Sequence, residues 1–337
     1  MELRIYTYPL ALKYPIMTAN GATNERPTVL IELKTGSRSF WAEAPGFLDA
    51  TYASETHQQL LDRWCTIGPD VVSAFKNQQV PDLLDDLPNE PILSCSIDML
   101  YCQHVASQNY QPLMTYLGAD HRPIHGTAMI GILPSLNEYN ARLRQLLDAG
   151  YHGVKFKVTP ESLEQVVTAI ESVRDSFDYI CIDANGSFDS SSVAQLVRVP
   201  ESVTIEQPVS PDQDDLFLLL LESLPHQFLA DESVRSMDDL LTFKGVGVGV
   251  MLKPACIGGI RRSIKMLNTC HSLGISCGVS GMMESGVGRF FHWILAQHPD
   301  FLLRPDFVWS DYYYSNDVFS VTDALDPDVT LQMPDFD

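Results

Sequence analysis

Five charged residues in the second half of the 337-residue sequence each end a short apolar run, and they recur about every 25 residues, which matches one strand, one helix and their loops. They are Lys157, Asp183, Glu206, Asp231 and Lys253. Buried strands of a parallel sheet are expected to be apolar. A charged residue at the end of five successive runs therefore indicates a functional site.

The three acids predict a metal site. The ends of neighbouring strands lie roughly 4.8 Å apart, so Asp183, Glu206 and Asp231 would repel each other unless a cation joined them. Ligands that are all carboxylate oxygens favour Mg²⁺, with Mn²⁺ as the alternative, over Zn²⁺. A single acid at such a position could simply cap the following helix, but helix capping poorly explains three acids in consecutive units.

Lysines flank the acids on both sides. Lys155 and Lys157 are two residues apart in a predicted strand and therefore share a face, and Lys253 ends the apolar run VGVMLK. We expect like charge and a nearby metal to lower the pKa of such a lysine, so that it can act as a base. A single lysine could instead hold its ammonium group in solvent. A metal, a substrate carboxylate and a lysine base together suit removal of an α-proton through an enediolate.

The elements that must position these residues alternate between strand and helix from about residue 125 onward, which is typical of a parallel α/β fold. The predicted strands cover residues 127–132, 153–158, 179–183, 203–206, 228–231, 248–253 and 275–280. The predicted helices cover residues 136–149, 160–176, 190–198, 212–223, 236–243 and 258–273. We favour a closed barrel over a doubly wound sheet, with residues 306–311 as the closing strand.

The N-terminal third has a different residue pattern. Residues 2–8, 27–34 and 39–44 are rich in β-branched and aromatic residues and predict a small antiparallel meander. Helices are expected at about 53–78 and about 95–118, and Gly118 is a plausible residue to follow the second one.

Composition excludes several classes of function. The formal net charge of −21 disfavours nucleic acid and anionic membranes as partners. The N-terminus lacks the pattern of a signal peptide, and the longest aliphatic run, 216–221, is too short to cross a bilayer. Seven scattered cysteines without a CxxC pair suggest free thiols in a reducing cytoplasm.

Motifs over most of the chain resemble the enolase superfamily, specifically its muconate-lactonising branch. The matching segments are KFK (155–157), DANGSF (183–188), IEQP (205–208), ADES (230–233), KPACIGGI (253–260) and SGMMESGVGR (280–289). The resemblance implies an α/β fold, a modified TIM barrel of the (β/α)7β type with an α+β capping domain. It implies a capping domain at 1–122, a barrel at 123–311 and a C-terminal segment, 312–337, that packs back on the cap. Lys253 argues against the mandelate-racemase branch.

Within that branch the sequence is similar to the o-succinylbenzoate synthases of menaquinone biosynthesis. The resemblance implies a hydro-lyase that acts on a small carboxylate, with Lys157 as base, Lys253 as a stabilising cation and Mg²⁺ on the three acids. It also implies positioning roles for Asn185 and Glu232, and substrate contacts at Lys155, Ser280, Gly281 and Met282. Phe188 and Cys256 depart from the residues common in the family, away from the metal and the two catalytic lysines.

Other activities of the branch remain open: N-succinylamino-acid racemase, dipeptide epimerase and cycloisomerase. Racemisation would use both Lys157 and Lys253 as acid and base. Dipeptide epimerases usually carry a DxD motif near the eighth strand, which is absent or displaced at Asp311. A barrel that only binds or scaffolds is less favoured, because all five strand-end residues are present. A homo-oligomer is compatible with the sequence.

Overall fold

The computed structural model describes residues 1–50, 52–53 and 55–318. Its N-terminal part forms a three-stranded antiparallel sheet of β1 (Glu2–Thr18), β2 (Gly21–Thr35) and β3 (Arg38–Ala44), in that order. The predicted meander is confirmed, but the first two strands are longer than predicted. They extend into a hairpin in which Thr18 pairs with Gly21.

Four helices follow this sheet: α1 (His57–Asn77), α2 (Val80–Asp85), α3 (Pro91–Gln108) and α4 (Leu113–Tyr116). Thr56 and Gln59 form a capping box that fixes the start of α1. The predicted helix at 95–118 is wrong at both ends. Pro112 cannot continue a helix, so the segment divides into α3 and α4, and Gly118 follows α4 with a φ of 73°.

Seven parallel strands form the second sheet, with neighbours in chain order. They are β4 (Ala128–Ile130), β5 (Gly153–Lys157), β6 (Tyr179–Asp183), β7 (Thr204–Glu206), β8 (Phe228–Ala230), β9 (Gly249–Leu252) and β10 (Cys277–Val279). All seven predicted strands are confirmed. The helices beside them are α5 (Leu136–Asp148), α6 (Leu163–Glu171), α7 (Asp214–Ser223), α8 (Pro254–Ile257), α9 (Ile260–Leu273) and α10 (Gly286–Ala296). Residues 190–198 and 236–243 form only short 3₁₀ helices, Val193–Arg198 and Asp239–Leu241.

An extended segment joins the two edges of this sheet in place of the predicted strand at 306–311, which is wrong. The backbone N–H groups of Leu303 and Asp306 donate to β10 carbonyls, each at 2.9 Å. The carbonyl of Pro305 accepts from Thr127, just before β4, at 3.1 Å. Since Pro305 has no N–H, the segment cannot form a regular ladder. It nevertheless closes the curled sheet into the predicted modified barrel.

The chain after the barrel returns to β1. The N–H of Lys13 donates to the carbonyl of Tyr313 at 2.7 Å, and the N–H of Ser315 donates to Ala11 at 2.9 Å. Residues 319–337 lie outside the described residues, so the predicted C-terminal segment and domain boundaries remain predictions. In the described part of the chain, no helix is both long and apolar enough to cross a membrane. All seven cysteines are free thiols, as expected.

Candidate active site

Parallel pairing brings the strand-end residues together. Lys157 on β5 pairs with Asp183 on β6, and Asp183 pairs with Glu206 on β7. Asp231 directly follows β8. One carboxylate oxygen from each of the three acids lies within 4.8 Å of the others, and all three residues are buried. The predicted triad therefore exists as a cluster at the carboxyl ends of adjacent strands.

The cluster fits a divalent cation. Glu206 Oε1 and Asp231 Oδ1 are buried without a hydrogen-bond partner among the described residues, and buried carboxylate oxygens normally have one. The site contains five carboxylates and three ammonium groups, and the formal excess of two negative charges matches one divalent ion. The groups are those of Asp183, Glu206, Asp231, Glu232 and Asp306, and of Lys155, Lys157 and Lys253. The donor set consists of carboxylate oxygens, which suits Mg²⁺ or Mn²⁺.

Each of the three lysines contacts an acid of the triad. Lys155 Nζ donates to Glu206 Oε2 at 2.6 Å and also contacts Asp306. Lys157 Nζ donates to Asp183 Oδ2 at 2.6 Å. Lys253 Nζ donates to Asp231. The triad thus lies between the lysines of β5 on one side and the lysine after β9 on the other.

The protein groups alone raise the pKa of Lys155. Burial is the strongest single influence and lowers the pKa of Lys155, but Asp306, Glu206 and Asp183 together raise it well above its usual value. The expectation considered the neighbouring lysine and an ion but not Asp306. At Lys253, burial is likewise outweighed by nearby acids and Tyr52, so its pKa is also raised.

The acids of the triad differ in pKa. Burial raises the pKa of Asp183, but Lys157, Lys155 and Lys253 outweigh it and lower the value to about 2. Burial raises the pKa of Glu206 well above its usual range, and Asp183 adds to this effect although Lys155 opposes it. A cation at the cluster would favour the ionised form of all three acids.

Residues beside the acids hold them in place. Asn185 has a positive φ of 45°, its N–H donates to Asp183 Oδ1 at 3.0 Å, and its amide donates to Glu232 Oε1 at 3.0 Å. These contacts place Asn185 and Glu232 where the sequence suggested. Gln207 was not predicted. It also has a positive φ, of 37°, and its side-chain oxygen accepts from the N–H of Asp231 at 2.9 Å.

A cavity of about 420 Å³ lies over the site. The barrel contributes the three lysines and the turn at 280–283, and the N-terminal part contributes the hairpin tip at 18–25 and residues 47–49 and 52. Every predicted substrate contact, Lys155, Ser280, Gly281 and Met282, lines this cavity. The volume suits a small organic molecule.

The turn after β10 has few free hydrogen-bond donors. The N–H of Ser280 donates to Leu252 at 2.9 Å, and the N–H of Met282 donates to Glu284 Oε1 at 2.7 Å. The Ser280 hydroxyl donates to Asp306 Oδ2 at 3.1 Å. Of the backbone N–H groups of Ser280, Gly281 and Met282, only that of Gly281 has no partner among the described residues. Gly281 is therefore the backbone donor available to a substrate carboxylate.

The sequence analysis missed several residues of the site. Asp306 lies on the closing segment and contacts both Lys155 and Ser280. Tyr52 contacts the ammonium group of Lys253 through its hydroxyl, and its ring centre lies 4.9 Å away. Arg26 is buried and donates to the backbone carbonyls of Gly46, Pro45 and Met282. No local motif marks any of these residues.

Glu43, also missed, connects the N-terminal sheet with the barrel. Its carboxylate accepts from the N–H groups of Ser285 and Gly288, each at 2.9 Å, at the start of α10. An acid at this position complements the helix dipole. Burial, followed by the charge of Glu284, raises the pKa of Glu43.

Comparison with known proteins places this site in a family. Residues 138–335 match the family model described as enolase C-terminal domain-like. This match covers more than half of the chain, so the chain belongs to that family. The predicted relationship to the enolase superfamily is confirmed.

Two curated relatives and one solved structure are similar to this chain over most of its length. The o-succinylbenzoate synthase of Bacillus subtilis (strain 168) is 24% identical, with 96% of this chain and 89% of that protein covered. The N-succinylamino acid racemase of Thermus thermophilus is 26% identical with the same coverage. The substrate-liganded L-Ala-D/L-Glu epimerase from Bacillus subtilis matches with a TM-score of 0.84 at 18% identity, over 95% of this chain and 92% of that one. This last likeness establishes the fold.

Proposed function

We propose that this protein is an o-succinylbenzoate synthase, a hydro-lyase that converts 2-succinyl-6-hydroxy-2,4-cyclohexadiene-1-carboxylate to o-succinylbenzoate. The main support is the unequal surroundings of the two lysines. Lys253 is held by both Asp231 and the Tyr52 hydroxyl, which suits a fixed cation. Lys157 donates to Asp183 alone among the described residues, which leaves it freer to exchange a proton.

The proposed reaction removes one proton and one hydroxyl from adjacent ring carbons. Lys157, in its amine form, takes the proton from the carbon that bears the carboxylate. The electron pair of that C–H bond passes into the carboxylate to give an enediolate, and it then forms the new ring double bond as the hydroxyl leaves from the same face. Lys157 returns its proton to the leaving oxygen, so the products are water and an aromatic ring. Its position beside the cavity suits this transfer.

Asp183, Glu206 and Asp231 would hold Mg²⁺, with Mn²⁺ as a substitute. The bound ion would supply positive charge that stabilises the enediolate, as is general for sites of the enolase superfamily. Lys253 adds a second positive charge from the other side of the triad. Asn185 and Glu232 orient the acids through the hydrogen bond that joins them.

On the substrate side, Lys155, Ser280 and the turn at Gly281 and Met282 would contact the substrate. The substrate class is thus a small carboxylate, and the proposed role lies in menaquinone biosynthesis in the cytoplasm. The lining residues on the hairpin tip at 18–25 would determine which acyl chain fits.

A steady-state assay tests this function. Purified protein with Mg²⁺ should convert the cyclohexadiene substrate to the aromatic product, which is followed by ultraviolet absorbance, and excess EDTA should stop turnover. We expect Lys157→Met to lose at least about 100-fold in kcat. Lys265→Met, at an exposed lysine on α9, is the matched control and should retain full activity. No turnover by the wild-type protein with Mg²⁺ would refute the proposal.

An N-succinylamino acid racemase is the second candidate, because one such relative matches as much of the chain as the synthase does. Racemisation needs proton transfer on both faces of the substrate, so both Lys157 and Lys253 would exchange protons. Incubation of an N-succinyl-L-amino acid in D₂O measures this exchange. Deuterium incorporation with inversion, in a protein that fails to dehydrate the cyclohexadiene, would replace the synthase proposal with this one.

A further inference from the structure

A second cavity, of about 320 Å³, lies beside the amino-terminal ends of β4 and β5, away from the carboxyl ends that carry the triad. Five basic side chains contribute to its wall: His121, Arg122, His125, His152 and Arg304. We call it the basal cavity. No carboxylate of the described residues lines it, although the chain contains 43 acids and has a net charge of −21. A cavity of this size accommodates a small organic molecule.

The two arginines of the basal cavity keep their charge unneutralised. Arg122 donates to three backbone carbonyls, including Ala296 at 3.0 Å and Phe301 at 3.1 Å, and these bonds fix the guanidinium without cancelling its charge. Arg304 Nε donates to the carbonyl of Gly126 at 3.2 Å. Among the described residues, no carboxylate lies within 4.0 Å of either guanidinium group. Asp178 acts on Arg304 from farther away.

Aromatic rings form the other side of the wall. Trp309 packs edge-on against Phe307, with ring centres 4.6 Å apart, and its centre lies 6.3 Å from that of Trp293. Trp309 is partly exposed, and its indole N–H has no hydrogen-bond partner among the described residues. Apolar rings beside unneutralised guanidinium groups suit a ligand with a flat apolar body and one anionic end.

We propose that the basal cavity binds an aromatic carboxylate. The terminal nitrogens of Arg304, which have no hydrogen bond to any described residue, pair with the carboxylate, and the ring of the ligand lies against Trp309. Fixed arginines favour a planar carboxylate over a monatomic anion because their N–H groups match its two oxygens. The rings favour an aromatic body over an aliphatic one. This site does not depend on the activity proposed above.

Tryptophan fluorescence can detect binding at this cavity selectively. Trp293 and Trp309 line the basal cavity, whereas no tryptophan lines the cavity over the triad. The probe is 1-naphthoate, titrated into the full-length protein, with isothermal titration calorimetry as a second measurement. The comparison compounds are 1-naphthalenemethanol, which has the ring without the charge, acetate, which has the charge without the ring, and inorganic phosphate. We expect each of the three to bind at least about tenfold more weakly than 1-naphthoate.

Variants locate the bound probe. Arg304→Gln should raise the Kd of 1-naphthoate at least about tenfold, and Arg304→Lys should recover part of the loss because it keeps the charge. His152→Asp places a negative charge on an exposed side chain of the same wall and should weaken binding without removing a buried contact. If Arg304→Gln fails to fold, His152→Asp still tests whether the probe binds in the basal cavity. Lys157→Met, in the other cavity, should change the Kd of 1-naphthoate by less than about twofold, compared with the change of at least about tenfold expected for Arg304→Gln.

Three results would overturn the proposal. The first is no fluorescence change with 1-naphthoate at millimolar concentration. The second is binding that persists in Arg304→Gln and His152→Asp but disappears in Lys157→Met, which would place the probe over the triad. The third is phosphate binding as tightly as 1-naphthoate, which would show a simple anion site without selectivity for a ring.

Discussion

Replacing Arg26 with alanine would remove a buried cation that connects the loop after β3 to the turn after β10. The residue is 1% exposed. Its guanidinium donates to the carbonyls of Gly46 at 2.6 Å, Pro45 at 2.7 Å and Met282 at 2.9 Å, and it lies 4.2 Å from the centre of the Phe47 ring. These contacts hold the N-terminal part against the wall of the active-site cavity.

The expected cost follows from those three bonds. A hydrogen bond from a charged donor contributes about 1.5–3 kcal/mol, and a buried carbonyl left without a partner costs about 1–3 kcal/mol. Three bonds at the lower end give about 4–5 kcal/mol. Part of this is offset because the variant no longer buries a cation. We therefore expect Arg26→Ala to lose about 4 kcal/mol in the free energy of unfolding, and KM to rise because the turn at Met282 is less constrained.

Urea unfolding followed by circular dichroism measures this loss. Arg26→Lys should retain part of the stability, since one ammonium group cannot reach all three carbonyls. Arg4→Ala is the matched control: Arg4 lies on the same sheet, is largely exposed, pairs with the exposed Glu2 and lies 3.8 Å from Glu32, so its loss should cost much less than that of Arg26. If Arg26→Ala costs no more than Arg4→Ala, the reasoning from buried hydrogen bonds is wrong.

Three further predictions concern Gly281 in the turn after β10, His292 on α10, and the triad. In Gly281→Ala the new Cβ would lie 2.5 Å from Glu284 Oε2 and 2.6 Å from His292 Cε1, so thermal unfolding should show a loss of about 1–3 kcal/mol. Burial lowers the pKa of His292 to about 4, whereas the ordinary pKa of histidine is near 6.5. Between these two values the unfolded chain binds a proton that the folded protein does not, so stability decreases as the pH is lowered from about 6.5 to about 4. His292→Gln should therefore lose about 2 kcal/mol less than the wild type between pH 7 and pH 5 in urea titrations, and an equal loss would contradict the shift. Mg²⁺ should raise the unfolding temperature of the wild type and not that of Asp231→Asn, measured by calorimetry, and an equal rise in both would exclude the triad as the site.

The predictable part of the site is the part that strand geometry determines. In a parallel sheet a constant interval along the chain becomes adjacency in space, so the spacing of Lys157, Asp183 and Glu206 was enough to place them together. The same reasoning placed Lys155 in the cavity, since residues two apart on a strand share a face. The order of the seven strands followed from their alternation with helical segments.

Asp306 and Arg26 could not be predicted in this way. Asp306 lies on a segment that has no regular strand pattern, because Pro305 interrupts the ladder, and its role depends on how the two sheet edges meet. Arg26 binds backbone carbonyls, which every residue possesses and which leave no trace in the side-chain pattern. For the same reason the expected pKa of Lys155 left out Asp306, the acid that raises it most strongly.

The strand ends and the loops therefore carry different information about the reaction. The proposed proton abstraction depends on groups that the barrel holds at its strand ends. Whether the second lysine remains a cation or exchanges a proton depends on its partners, and one partner of Lys253 is Tyr52, from the loop before α1. We therefore expect a change at Tyr52 to alter the balance between the two proposed activities, dehydration and racemisation, without touching an acid of the triad. The determinants of the particular activity should be sought in that loop and in the hairpin tip at 18–25, where the sequence has no periodic pattern.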